Sequence, residues 1–160
     1  MASISSLPPA GAEIRLEKIS IEFGGLPVVS DIDLTVGAGE FVCLLGPSGC
    51  GKSTLMNLVA GFVPAAAGLA TIGGNPIDGP GRDRGVVFQS TEALFPWLTV
   101  QENVEYGPSM RGVGRAERAE AARHYIDLVG LSHAASRFPA ELSGGMRQRA
   151  QIARVLINDG

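Results

Sequence analysis

This 160-residue sequence predicts an α/β fold organised around a phosphate-binding loop. Three observations carry that expectation. The run Gly46-Pro47-Ser48-Gly49-Cys50-Gly51-Lys52-Ser53-Thr54 fits the pattern GxxxxGK[ST], whose proper setting is the turn between a strand and a helix. An apolar stretch at 40–45 enters the loop and a helix-like stretch from Ser53 to Ala60 leaves it. After Gln89 short apolar runs give way to helical periodicity, and that half leads to Leu142-Ser143-Gly144-Gly145-Met146, a Ser-Gly-Gly turn opening a basic helix.

The first half reads as strands at 14–17, 19–23, 32–36, 40–45, 69–72 and 85–88. Turn clusters separate them: Gly24-Gly25, Gly37-Ala38-Gly39, Gly73-Gly74-Asn75-Pro76 and Asp78-Gly79-Pro80-Gly81. A short helix is expected over 100–106, begun at Thr99 with Gln101 and Glu102 in its first turn. A longer one is expected over 115–129, with Ala119, Ala122, Ile126 and Val129 on one side and Glu117, Arg118, Glu120 and Arg123 toward water. The last, over 146–158, sets Ala150, Ala153 and Ile157 on one side and Arg147, Arg149 and Arg154 at polar positions.

The chemistry of the loop follows from its residues. Glycines let backbone N–H groups turn inward round a phosphate, and the N-terminus of the following helix adds a positive dipole end. Lys52 brings a full charge toward β- and γ-phosphates, and Ser53 offers a hydroxyl to Mg²⁺, an ion that takes oxygen ligands. No NKxD-type guanine reader is present, which weighs against a GTPase. Small-molecule kinases stay open on the loop alone. At the second motif, Ser143 is a good N-cap, and Gly144 and Gly145 leave the first helical amides bare. By their residues alone, this turn is also an ordinary capped helix, Gln89 a strand-end glutamine, and Phe23 a core residue of its strand. The loop Leu94-Phe95-Pro96-Trp97-Leu98 is either folded-back core or an apolar groove for a partner helix.

Composition narrows the class. The net charge is −3, and charged residues make up 18%, below the typical ~25%. The 22 glycines are about double the ordinary share, as tight turns round an apolar sheet require. No basic excess points to nucleic acid. Residues 1–12 have neither a basic start nor an apolar run, so they read as a flexible tail and not as a signal peptide. The most apolar region, 58–72, is broken by Gly61, Pro64 and Gly68 and is too short to span a bilayer. Cys43 and Cys50 suit reduced thiols in the cytoplasm, and His124 and His133 have no companion ligands at metal spacing.

Taken together, the phosphate loop, Gln89 and the Leu142–Met146 motif resemble the ATP-binding subunit of an ABC transporter, over essentially residues 13–160. That resemblance implies a P-loop NTPase (RecA-like) core with an N-terminal antiparallel β subdomain and an α-helical insert carrying the LSGGM motif. Its parts would be a tail over 1–12, a core over 13–88, a Q-loop and helical subdomain over 89–145, and a signature helix over 146–160 that returns to the core. It assigns ATP and Mg²⁺ as cofactors. Phe23 would stack on adenine, and Gly46 to Thr54 would hold the phosphates. Ser53 and Gln89 would reach the metal, with Gln89 also positioning the attacking water. Ser143, Gly144 and Gly145 would grip the γ-phosphate of ATP held by the opposite subunit of a head-to-tail pair. Where the family usually has LSGGQ, this sequence has Met146. The stretches 85–89, 95–100 and 103–104 resemble the nitrate, sulfonate and taurine importer branch. Implied partners are a second ATP-binding subunit, transmembrane permease subunits and, indirectly, a solute-binding protein; the implied location is peripheral, on the cytoplasmic face of the membrane.

The family's next strand, with its Asp for Mg²⁺ and its Glu that activates water, has no counterpart up to Gly160. The expectation is a piece of a longer subunit that binds nucleotide and hydrolyses it little, because the general base is missing. It is also expected to be poorly soluble through unpaired strand edges. Two rival classes stand beside the importer: a soluble ABC ATPase without a membrane partner, and a non-catalytic nucleotide-binding fragment.

Overall fold

The computed structural model describes residues 11–81, 84–88 and 93–158. The chain divides into two compact units, one up to Gly81 and one from Arg82.

The first unit is a four-stranded antiparallel sheet with one helix. Strand β1 (Ile14–Phe23) pairs on one side with β2 (Leu26–Val36) and on the other with β3 (Ala67–Ile72), which continues into the two-residue β4 (Asn75–Pro76). The two strands expected over 14–17 and 19–23 are therefore one. What divides them in sequence is a bulge at Lys18, whose φ is +49° and whose N–H donates to Asp33 Oδ1 at 2.8 Å. A second irregularity, Asp31 at φ +52° with its N–H on Ser20 Oγ, lets β2 begin at Leu26, earlier than the expected Ile32. Bulges break the period of two on which strand reading depends. Pro27 is tolerated because β2 lies at the sheet edge. Gly68 fits its place for a separate reason: a Cβ there would lie 2.4 Å from the carbonyl oxygens of Glu17 and Lys18.

Helix α1 (Lys52–Val59) lays Leu55 and Leu58 against Leu16, Ile19, Ile21 and Val29 to form this unit's core. Two expected strands are absent. Residues 40–45 and 85–88 carry no strand pairing. Leu44 packs on the sheet core, whereas Phe41 and Leu45 are 88% and 91% exposed; Val87 and Phe88 are also exposed. An apolar run becomes a strand only when a neighbouring strand takes up its N–H and C=O groups in a ladder, and among the described residues no strand pairs with either run.

The second unit is helical: α2 (Val100–Met110), α3 (Arg115–Leu128) and α4 (Gly144–Leu156), with single 3₁₀ turns at Ser132–Ala134 and Pro139–Glu141. Its core joins Val100 and Val104 to Ala122, Ile126, Leu131, Leu142, Ala150 and Ala153. Helix α2 outruns its expected end at Tyr106 and contains Pro108, because Val100, Val104 and Pro108 lie on its buried face. Packing outweighs the helix-breaking tendency of Gly107-Pro108. Among the described residues, no helix is long and apolar enough to cross a membrane.

Candidate functional site

The phosphate-loop pattern becomes a tight turn whose shape only glycine allows. Gly49 and Gly51 have φ values of +82° and +91°. Space around them differs. A Cβ on Gly49 would meet open space, whereas one on Gly51 would sit 2.6 Å from Val29 Cγ2 and 3.3 Å from the Val28 carbonyl oxygen. Gly51 thus seats the loop directly on β2. It also occupies the N-cap of α1, and no side chain caps the helix, so its first amides keep the donors a capping side chain would take. Lys52 curls back over the turn: Nζ donates to Gly46 O at 2.8 Å and Pro47 O at 2.6 Å, and lies 3.5 Å from Cys50 Sγ. Pro47, Ser48 and Ser53 are exposed and Thr54 is half-buried. Bare amides, a lysine turned into the loop and an exposed serine hydroxyl at the helix start form a donor set that fits a phosphate chain and an oxygen-seeking cation.

Phe23 ends β1 beside Gly24-Gly25 at the tip of the β1–β2 hairpin, 50% exposed. It is not core; its ring belongs to the strand pair whose Val28 and Val29 support Gly51. Cys43 and Cys50 are free and exposed. Gln89 lies outside the described residues.

In the second unit, Ser143 is the N-cap of α4, its Oγ accepting from Met146 N at 3.3 Å. Gly144 and Gly145 are exposed, and a Cβ on either would meet nothing within 4 Å. Leu142 is buried and anchors the turn. Two arginines that the sequence places at polar positions fasten α4 to its surroundings. Arg147 Nη1 donates to Leu142 O at 2.7 Å, immediately before the turn, and Arg149 Nη1 donates to Val129 O at 3.0 Å, at the C-terminal end of α3. A cation there satisfies end carbonyls and meets the negative pole of the helix dipole.

The apolar loop before α2 is neither wholly core nor wholly groove. Leu94 is buried, Phe95 half-buried and Trp97 69% exposed. Phe95 lies with its ring centre 5.5 Å from Trp97 and 4.5 Å from Tyr106. Asn103, fully buried, holds this loop. Its Oδ1 accepts from Phe95 N at 2.8 Å, and its Nδ2 donates to the carbonyls of Phe95, Leu98 and Thr99. Its role in the fold was not foreseen from sequence, although a polar residue between Val100 and Val104 on an apolar helix face was the available signal. Thr99 and Glu102 form a reciprocal capping box at the start of α2, and the hydrogen bonds from Thr99 hold the Glu102 carboxyl below its usual range.

A glycine loop closing on lysine at the start of a helix defines the phosphate-loop class of nucleotide-binding domain. Within that class, the ABC transporter family model matches residues 29–160, and the chain belongs to that family. It is 48% identical over 143 residues to the taurine import ATP-binding protein TauB of Escherichia coli O157:H7, an alignment covering 89% of this chain and 56% of the relative. It is 47% identical over 142 residues to a Brucella abortus (strain 2308) protein named only as ATP-binding, covering 89% and 54% of the two chains. The chain thus spans about half the length of the curated relatives it matches.

Proposed function

We propose that this chain is the ATP-binding part of a subunit that drives solute import through a membrane permease, in the nitrate, sulfonate and taurine branch. The observation that carries the proposal is the phosphate loop: left-handed Gly49 and Gly51, uncapped α1 amides and Lys52 turned inward, in a chain 48% identical to a taurine import ATP-binding protein. Gly46 to Thr54 would hold the triphosphate of ATP, Ser53 and Gln89 would take Mg²⁺, and Phe23 would offer its π-face to adenine. Bound ATP supplies the free energy of the cycle. The residues' own work is to bind and orient. Lys52 exchanges the carbonyls of Gly46 and Pro47 for phosphate oxygens, and Ser143, Gly144 and Gly145 present bare amides to the γ-phosphate held by a second, head-to-tail copy. In this reading the helical unit is the insert that carries the LSGGM turn. The subunit is peripheral, on the cytoplasmic face of the membrane. Trp97, Phe95 and Tyr106 form the surface on which a cytoplasmic helix of the permease docks, and a solute-binding protein acts upstream of it.

Two measurements test this. Mg²⁺-dependent ATP binding is expected to be lost in Lys52→Ala. A multi-span membrane protein is expected to co-purify with the wild-type chain and to be lost on Trp97→Ala. Unchanged ATP affinity in the lysine variant would overturn the nucleotide assignment, and unchanged co-purification in the tryptophan variant would overturn the docking assignment.

A further inference from the structure

Arg154 stands in the last turn of α4, where a cation is ordinarily explained by the helix dipole. Its surroundings require more than that. Arg147 and Arg149 each donate to backbone carbonyls, but the Arg154 guanidinium lies over an aromatic face, its Cζ 5.4 Å from the centre of the Phe95 ring. The side chain is half-buried, and burial lowers its pKa from the ordinary guanidinium value. Among the described residues it has no ion-pair partner. A cation partly stripped of water and facing a π-system is the situation in which cation–π attraction is largest.

Phe95 is equally constrained from its other side. Its N–H and C=O are both held by the buried Asn103 side chain, and its ring adjoins Trp97 and Tyr106. Trp97 and Tyr106 are exposed. The cluster therefore has a fixed inner member and an accessible outer surface, with Arg154 on the inner member.

We propose that Arg154 is a positioning residue whose guanidinium clamps Phe95, and through it Trp97 and Tyr106, to the helix that Ser143 begins. The two ends of that helix, the Ser143 cap and Arg154, are about three turns or roughly 16 Å apart. A displacement of the Ser-Gly-Gly turn carries Arg154 with it, because a helix moves as a rigid rod over this length, and the aromatic surface follows. The inference rests on the reading that this surface docks a membrane subunit. It adds the contact through which docking and the turn are joined.

The test compares Arg154→Met, which keeps a long side chain and removes the charge, with Arg154→Lys, which keeps a charge over the ring. Trp97 is the only tryptophan in the chain, so its near-ultraviolet circular dichroism and acrylamide quenching report on the cluster alone. Arg154→Met is expected to lose the Trp97 dichroism and to bind nanodiscs carrying the co-purifying membrane subunit about tenfold more weakly, between the exposed and fully desolvated limits for one cation–π contact. Arg154→Lys is expected to stay near wild type in both. If Arg154→Met melts early, Phe95→Leu replaces it: the π-face is gone while α4 is untouched, and Arg154→Gln, which is expected to weaken binding on its own, should cost nothing further when added to it. Wild-type dichroism and binding in Arg154→Met, or equal losses in the Met and Lys variants, would overturn the proposal. So would full additivity with Phe95→Leu. Should no membrane protein co-purify with the wild-type chain, the docking reading fails, and the functional part of the inference fails with it.

Discussion

The two units differ in how completely they bury what they carry. In the helical unit Val100, Val104, Ala122, Leu131, Ala150 and Ala153 are all at 0% exposure, and the one fully buried asparagine has its partners. In the sheet unit Leu16, Ile19 and Ile21 are as well buried, yet Phe41 and Leu45, which flank the phosphate loop's approach, stand almost fully exposed. Helices satisfy their own backbone, so a bundle needs only side-chain faces that match. A strand borrows its hydrogen bonds from neighbours, so an apolar run without a paired neighbour leaves side chains in water. The contrast shows that apolar content is not burial. Position in a hydrogen-bonded neighbourhood decides which Leu contributes to stability.

That contrast can be broken most directly by matched truncations. Ile126→Ala, in the helical core, is expected to cost about 2–5 kcal/mol, seen as an earlier helix melt in denaturant. Leu45→Ser, an equally apolar residue by sequence, should stay within about 0.5 kcal/mol and should reduce aggregation. A large loss from Leu45→Ser would show that residues 40–45 are covered in solution.

The second pair sharpens the comparison inside the sheet unit. Gly49 and Gly51 share a left-handed backbone, but only Gly51 abuts β2. Gly49→Ala is expected to cost about 1 kcal/mol from backbone strain. Gly51→Ala is expected to cost about 2–3 kcal/mol, since the same strain is joined by a clash that moves Val29. Equal losses by thermal denaturation would mean that the loop does not rest on the strand as described.

A modest effect belongs to the helical unit. Thr99→Ala should cost about 1 kcal/mol of cap energy and should also weaken a pH dependence, since the residue 99 backbone N–H still reaches Glu102 while the hydroxyl is gone. The Glu102 carboxyl is held below its unfolded value by Thr99. Its contribution is therefore fully present above the ordinary carboxylate range and is lost as pH falls through the depressed folded value. Wild type is expected to lose helix stability between neutral and acidic pH more steeply than Thr99→Ala; parallel pH profiles would remove the capping box from the account.

How much of this was legible follows from the range of each interaction. The phosphate loop, the Thr99 and Ser143 caps and the inner faces of α3 and α4 depend on residues within a few positions of one another, and the pattern alone places them. The merged β1 could not be read, because Lys18 and Asp31 take conformations held by Asp33 and Ser20 on the neighbouring strand. Nor could the contacts of Arg149 and Arg154 be told from those of two solvated arginines, since their partners, Val129 and Phe95, lie on other segments of the chain.

By itself the sequence determined the glycine-lysine turn, the Ser-Gly-Gly cap and the family they share, because each is written in contiguous residues whose backbone needs are local. Only the tertiary structure decided that residues 40–45 are not a strand, that Gly51 and not Gly49 is wedged, and that Arg154 faces Phe95. Those outcomes depend on which distant backbone or ring comes within reach, a matter of long-range pairing that local periodicity does not encode.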